Sequence, residues 1–407
     1  MANENQTSPK PAVKVSLPKQ QPVSGANTVR TEDMSVLKRN PFITCIALGQ
    51  GGYTALTAML EKPFVKAENC FYINYQSDLL SAELIDPNNR INITTDETKF
   101  GAGHERSEAK KDATDNMAFI VSQLKEKINP KTEKIYVLMS SGGGTGSGAG
   151  PLISALVSQS NFLEGKRVSV EVILFKPALG SNSKEWYNYN ECLKEMTALV
   201  NAKTVSLFIA DLSSSDNQNP NERNLEVDRK VADLLYRFDC YNYLSKISNL
   251  DFADRDVLTA IPQMRSLLEY NPADGTWSSP FVQPKGNRVA RLGYEVPEGD
   301  EERVATFGKS FGVTVLDGSF KGLYPASAVS KGAKPIVGFF GFSVPVSTLK
   351  EASDTVAELI KREEQSNKND SIKSQGAFDM LAVHKKAIDE STQRVDQSLD
   401  SILNMIQ

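Results

Sequence analysis

Histidine is nearly missing from this chain: His104 and His384 are the only two in 407 residues. Hydrolase triads and imidazole metal sites need more than that, so an enzyme here would work with carboxylates, backbone amides and a hard cation. Cysteine is also thin. Cys45, Cys70, Cys192 and Cys240 are far apart and fall inside predicted strands or helices. They read as small buried hydrophobes in a reducing cytoplasm, not as a disulfide framework. The longest apolar stretch, Ile336 to Val346, is too short to span a bilayer and carries glycine and proline. The first residues lack the apolar core of a signal peptide. A net charge of −4 gives no general drive toward nucleic acid or membrane. These absences predict a cytoplasmic protein with no membrane partner. What remains, 40% apolar and 24% charged residues, is enough for two domains with separate cores.

Residues 1–40 are rich in Pro, Gln, Asn, Ser and Lys without apolar periodicity and read as an arm. From Pro41 a β/α alternation begins. Strands are predicted at Phe42–Leu48, Cys70–Asn74, Ile135–Met139, Val168–Phe175 and Val205–Ile209, and helices at Tyr53–Glu61, Glu105–Lys127, Pro151–Gln159 and Lys184–Ala202. That alternation predicts an α/β fold with a doubly wound, mostly parallel sheet over 41–221. A long central helix and a loop follow over 222–254. A second, smaller α/β domain is expected over 255–366, ending in an amphipathic helix at Ser347–Glu364, with a polar break after it. In the tail, 367–407, apolar residues from Phe378 to Ile406 recur at alternating spacings of three and four. That seam suits a helix docked on its own domain as well as one pairing with another subunit.

The most informative stretch is 140–150, S-S-G-G-G-T-G-S-G-A-G. It lies between an apolar strand and a helical pattern. There, glycines let the backbone approach an anion, while free N–H groups and the helix dipole favour negative charge. Thr145 and Ser147 add hydroxyl donors. The run is neither a Walker loop nor a dinucleotide fingerprint after a first strand.

Four motifs in order carry a resemblance. Gly142, Gly143, Gly144, Thr145, Gly146, Ser147 and Gly148 match the signature G-G-G-T-G-[ST]-G of the tubulin/FtsZ superfamily of GTPases. Gly49, Gln50, Gly51 and Gly52 fall where that superfamily has its first phosphate loop, and Asn74 closes the second strand as its N-T-D segment does. Gly101, Ala102 and Gly103 match its G-A-G loop, and Asn249-Leu250-Asp251-Phe252-Ala253-Asp254 matches its N-x-D-x-x-D motif. The resemblance implies GTP/GDP bound by glycine loops without a lysine, with Mg²⁺ among the phosphates. It also implies head-to-tail self-assembly, in which Asn249, Asp251 and Asp254 enter the next subunit's pocket and position water for hydrolysis. Two aspartates in a loop also suit capping of the next helix. By the same resemblance Asn188 and Asp233 are candidates for reading guanine.

The chain departs from the pattern in several places, among them a long Ser/Asp/Asn loop after Val205–Ile209 and a second domain that matches little. Gln76 stands where the family has the acid of N-T-D, and Ser181 stands where a glutamate is expected after Lys176-Pro177. Within the superfamily, Gly146 to Ile153 look most like the tubulins of large bacteriophages and plasmid-segregation tubulins of the TubZ type. The implied role is a dynamic GTP-dependent filament that positions or segregates DNA. The alternatives are a plasmid-partition filament working with a DNA-binding adaptor, and a nucleotide-binding scaffold that does not hydrolyse.

Overall fold

A computed structural model describes residues 42–96, 98–163, 168–240, 257–271, 276–297, 312–316, 319–324 and 336–369. Six apolar segments form the parallel half of the sheet: β1 (Ile43–Leu48), β2 (Cys70–Asn74), β3 (Arg90–Asn92), β4 (Lys134–Ser140), β5 (Ser169–Lys176) and β6 (Ser206–Asp211). Their spatial order is β3-β2-β1-β4-β5-β6, with every neighbouring pair parallel. β1 is buried along its whole length, as a strand covered by helices on both faces must be. The order reverses between β1 and β4. In a doubly wound sheet, that reversal opens a crevice at the carboxyl ends of the two strands.

The sheet does not stop at β6. Leu207 of β6 pairs in parallel with Met264 of β7 (Met264–Asn271). β8 (Thr276–Ser278) pairs antiparallel with β7. β10 (Arg291–Pro297), β12 (Ser319–Tyr324) and β13 (Ile336–Phe342) then extend the same sheet beyond β7 in the order β13-β10-β12. β9 (Arg288–Val289) and β11 (Thr314–Val315) form a separate two-stranded ribbon. The segment expected as a second domain is thus hydrogen-bonded edge-on to the first.

Helices cover both faces. One core holds Ile46, Val137, Leu174, Ile153, Trp186 and Leu193, under α5 (Gly144–Val157), α6 (Ser183–Asn201) and α8 (Val346–Asn369). The other holds Cys45, Leu138, Phe208, Leu56, Val231 and Leu235, under α1 (Gly49–Leu60) and α7 (Pro220–Cys240). On that second face Glu171 is fully buried between Arg265 and Lys134, and Lys134 also reaches Asp239 at 2.6 Å. Burial pushes the Glu171 carboxyl up, but the two cations outweigh it and leave it below its usual range.

Four element boundaries differ from the sequence reading for a clear physical reason. α1 begins at Gly49 and α5 at Gly144, so the glycine runs are themselves the first turns of helices and aim their free N–H groups into the crevice. The helix expected over 105–127 is two, α3 (Arg106–Asp115) and α4 (Met117–Lys127). The break is at Asn116, whose side chain donates to the Asn92 carbonyl at 3.0 Å. α8 runs to Asn369, into the polar break expected over 365–375, because Lys, Arg, Glu and Gln are good helix formers. Short elements at β3 and α2 (Gln76–Leu80) were not foreseen. The arm and the heptad-patterned tail lie outside the described residues. Among the described residues, no helix is long and apolar enough to cross a membrane.

Candidate nucleotide-binding site

A cavity of about 830 Å³ opens at the β1/β4 reversal. Its floor is made of strand ends and helix starts: Gly49, Gln50 and Gly51 after β1, and Gly142 to Gly146 after β4. Gly49 takes φ +67, a left-handed conformation that favours glycine, at the point where β1 turns into α1. A third loop, Gly101 to His104, forms one side. Gly103 and His104 are both left-handed there, at φ 56 and φ 62. The far end is closed by Leu212 and by the start of α7, with Pro220, Arg223 and Asn224. Among the described residues no lysine lines the cavity, so phosphate charge would meet mostly backbone N–H groups at two helix starts.

Residues 42–207 match the profile of the tubulin/FtsZ family, GTPase domain. Over this stretch the chain is similar to the tubulin/FtsZ GTPase domain. The cell division protein FtsZ of Buchnera aphidicola subsp. Baizongia pistaciae (strain Bp) is 25% identical over 243 residues. That match takes in 56% of this chain and 56% of that protein, so the chain spans about half the length of the curated relative it matches. In solved structures, the tail-truncated TubZ of Clostridium botulinum phage c-st covers 79% of this chain with 99% of its own, at TM-score 0.64 and 21% identity. The TubZ of Bacillus thuringiensis serovar israelensis, solved as a GTPγS-form protofilament, covers 83% with 96% of its own, at TM-score 0.63 and 16% identity. These likenesses show the fold: a mixed α/β chain on a mostly parallel central sheet.

Within the matched stretch, most residues singled out from sequence line the cavity: Gly49, Gln50, Gly51, Asn74, Gly101, Ala102, Gly103, Gly142, Gly143, Gly144, Thr145 and Gly146. Asn74 braces the floor, accepting from the Thr145 hydroxyl at 3.1 Å and donating to the Asp78 carboxylate at 2.6 Å. Gly52 and Ser147 sit behind the wall. A side chain at Gly52 would collide with the Leu138 carbonyl, so this glycine serves helix–strand packing. The fully buried Ser147 hydroxyl donates to the Gly143 carbonyl.

Two of the residues singled out from sequence do not line the cavity. Asn188 is fully buried and does not line the cavity; its amide donates to the His104 and Gly142 carbonyls, both at 2.9 Å. Asp233 is ion-paired with Lys62 at 2.7 Å and Arg237 at 3.2 Å, away from the lining. Nine residues beyond Asn224 on a helix, it lies about 13 Å further along the axis. Burial alone would raise its carboxyl, and the two cations hold it below its usual range. Asn249, Asp251 and Asp254 lie outside the described residues.

The structure adds groups that a gap-free count missed. Asp78, two residues after Gln76, is carried back to the cavity by α2, where burial raises its carboxyl above its usual range. Glu185, four residues after Ser181, reaches the cavity from the first turn of α6. Asn182 caps that turn, accepting from the Glu185 N–H at 2.9 Å. This N-x-x-E capping signature was the sequence signal for it. At the far end, Asn224 Oδ1 and Arg223 Nε are buried without a hydrogen-bond partner among the described residues. Buried polar atoms are normally paired, so two orphans in one wall point to a ligand.

One turn on from Asn224, along the same face of α7, lies Asp228, which is 4% exposed with its carboxyl pushed up to about 7 by burial. From about pH 4 to 7, the nucleotide-free native state therefore keeps a proton that the unfolded chain has released. Stability falls as pH rises through that window and is level above it. Asp228→Asn is expected to match wild type near pH 4 and exceed it at pH 8, by on the order of 3 kcal/mol in urea unfolding. Parallel curves at both pH values would show that this carboxyl does not titrate alone.

Proposed function

We propose that the chain binds GTP in this cavity, hydrolyses it, and assembles head-to-tail into dynamic filaments that position or segregate phage or plasmid DNA in a bacterial cytoplasm. The observation that carries the reading is the cavity itself: three glycine loops with no lysine at a sheet reversal, and unpaired polar atoms at the opposite end. A nucleotide would lie across the strand ends, with its base against Arg223 and Asn224 and its phosphates toward β1 and β2. Asn224 Oδ1 offers an acceptor to the N1–H of guanine; adenine presents an acceptor at N1 and is disfavoured. The flat Arg223 guanidinium can stack on a base face. Glu185 and Asn182 are placed for the ribose.

Mg²⁺ fits this donor set. Asp78 and Thr145 supply hard oxygens beside a triphosphate, and when bound the cation would neutralise phosphate charge. The acid missing at position 76 is thus no argument for a scaffold that does not hydrolyse, because Asp78 supplies a carboxylate in the same wall.

Hydrolysis is completed in trans in this reading, by Asn249, Asp251 and Asp254 of the next subunit. The protofilament form of the Bacillus thuringiensis TubZ supports the self-assembly part. A DNA-binding adaptor is the partner expected for the plasmid role. The test is phosphate release against protein concentration with GTP and ATP in parallel. A threshold concentration with GTP preference is expected. Release linear in protein, or equal for both nucleotides, would overturn the shared-site reading.

A further inference from the structure

The fully buried Asn188 has a geometry that its exclusion from the cavity leaves unexplained. It stands on α6 and spends both hydrogens of its amide on backbone carbonyls of two different cavity loops, His104 at 2.9 Å and Gly142 at 2.9 Å. The loop at 101–104 needs such support. His104 is a non-glycine residue in the left-handed region, directly after left-handed Gly103, a backbone conformation that persists only where its surroundings hold it. The loop closes on itself through Glu105 N–H to the Ala102 carbonyl at 2.7 Å. It also presses on the signature loop, since a side chain at Gly144 would come within 2.7 Å of Ala102 Cβ. Asn188 Oδ1 has no partner among the described residues, so the side chain is held there by its two donated bonds.

The two tied loops meet different parts of a nucleotide. In the order β6-β5-β4-β1-β2, four strand steps of about 4.8 Å separate the end where Leu212 follows β6 from the end where Asn74 closes β2. With the base against α7, the signature loop at β4 underlies the middle of the ligand. Gly101 to Gly103 share the wall with Asn74 and Asp78, and the Ser77 hydroxyl of α2 donates to the adjacent Phe100 carbonyl at 2.7 Å, so the loop stands at the end opposite α7; in this pose that end takes the third phosphate.

Resting on the nucleotide reading above, we propose that Asn188 is a positioning residue for the terminal phosphate: it ties the 101–104 loop to the signature loop, so that the chain distinguishes a nucleoside triphosphate from a diphosphate. It touches no ligand itself. Its effect is to hold the Gly101–Gly103 amides in place before the ligand arrives, which removes an ordering cost from triphosphate binding only.

The test compares the affinities of the full chain for GDP and GTPγS, with urea midpoints of the GDP-bound proteins as the check on folding. Asn188→Asp keeps the shape and loses the donors; Asn188→Ala loses both. Each is expected to bind GDP within about twofold of wild type and GTPγS about tenfold more weakly, a shift of about 1.4 kcal/mol in one ligand only. Asn188→Ser keeps one hydroxyl donor with little bulk and is expected to fall between; it is read should the other two not fold. Equal losses for both nucleotides would make Asn188 a general support of the signature loop and overturn the proposal, as would unchanged GTPγS affinity. Wild type binding neither nucleotide would instead overturn the nucleotide reading.

Discussion

Gly146→Ala is expected to destabilise the chain by about 1–3 kcal/mol and to weaken nucleotide binding more than about 100-fold, while Gly143→Ala leaves stability unchanged. Both glycines belong to one run, and their surroundings differ. A Cβ on Gly146 would overlap the Ser140 carbonyl oxygen and come within 3.2 Å of the Leu48 carbonyl oxygen. The first turn of α5 is wedged between the ends of β4 and β1, so relief requires moving the helix start and every N–H group it aims into the cavity. Gly143 has ordinary backbone angles, φ −78 and ψ 168, and nothing within 4 Å of its would-be Cβ. A methyl there costs the fold nothing and reaches into the space a ligand would fill, so a loss of affinity of about tenfold is expected without loss of stability. Urea unfolding and GTPγS titration of both variants check this. Equal stability of the two would show that helix and strand can part at Gly146, and the argument from close packing would fail.

The parts legible in the sequence share one property: a single residue type was forced by local backbone geometry. Gly49 is set by a left-handed turn, and Gly146 by the approach of a helix to two strand ends. The buried parallel strands announce themselves as apolar runs. Side-chain destinations on helices were not legible. Counting without gaps placed the missing acids at 76 and 181, whereas α2 and the first turn of α6 bring in Asp78 and Glu185 instead. The resemblance points to Asp233 for guanine, but a helix pointing away from the cavity carries its residues out of reach within two turns, and Lys62 and Arg237 claim it there. Asn188 fell on the right helix at the wrong depth, since α6 turns that face toward the backs of the loops. Continuity of β6 with β7 was hidden because edge-on pairing leaves no pattern in either strand alone.

Asp254→Ala is expected to keep GTP binding within about twofold and to lose about 100-fold or more in phosphate release above the assembly threshold. The asymmetry follows from where the charges are. The cavity has its own complement for a triphosphate in backbone amides, Thr145 and Asp78, whereas the proposed reading gives Asp254 to the next subunit's cavity. What the lining lacks is a carboxylate on a second body that could orient water only when that body docks. Mixing separates sharing from an indirect effect. Gly143→Ala subunits starved of nucleotide carry an intact Asp254, and Asp254→Ala subunits carry an intact cavity. In a head-to-tail polymer of the two in equal amounts, about a quarter of the interfaces pair an intact cavity with an intact Asp254. At a GTP concentration that leaves the Gly143→Ala cavities mostly empty, the mixture should release phosphate faster than the sum of its parts. Recovery no greater than that sum would mean the aspartate acts within its own subunit, and the trans reading of Asn249, Asp251 and Asp254 would be lost even if the chain hydrolyses GTP.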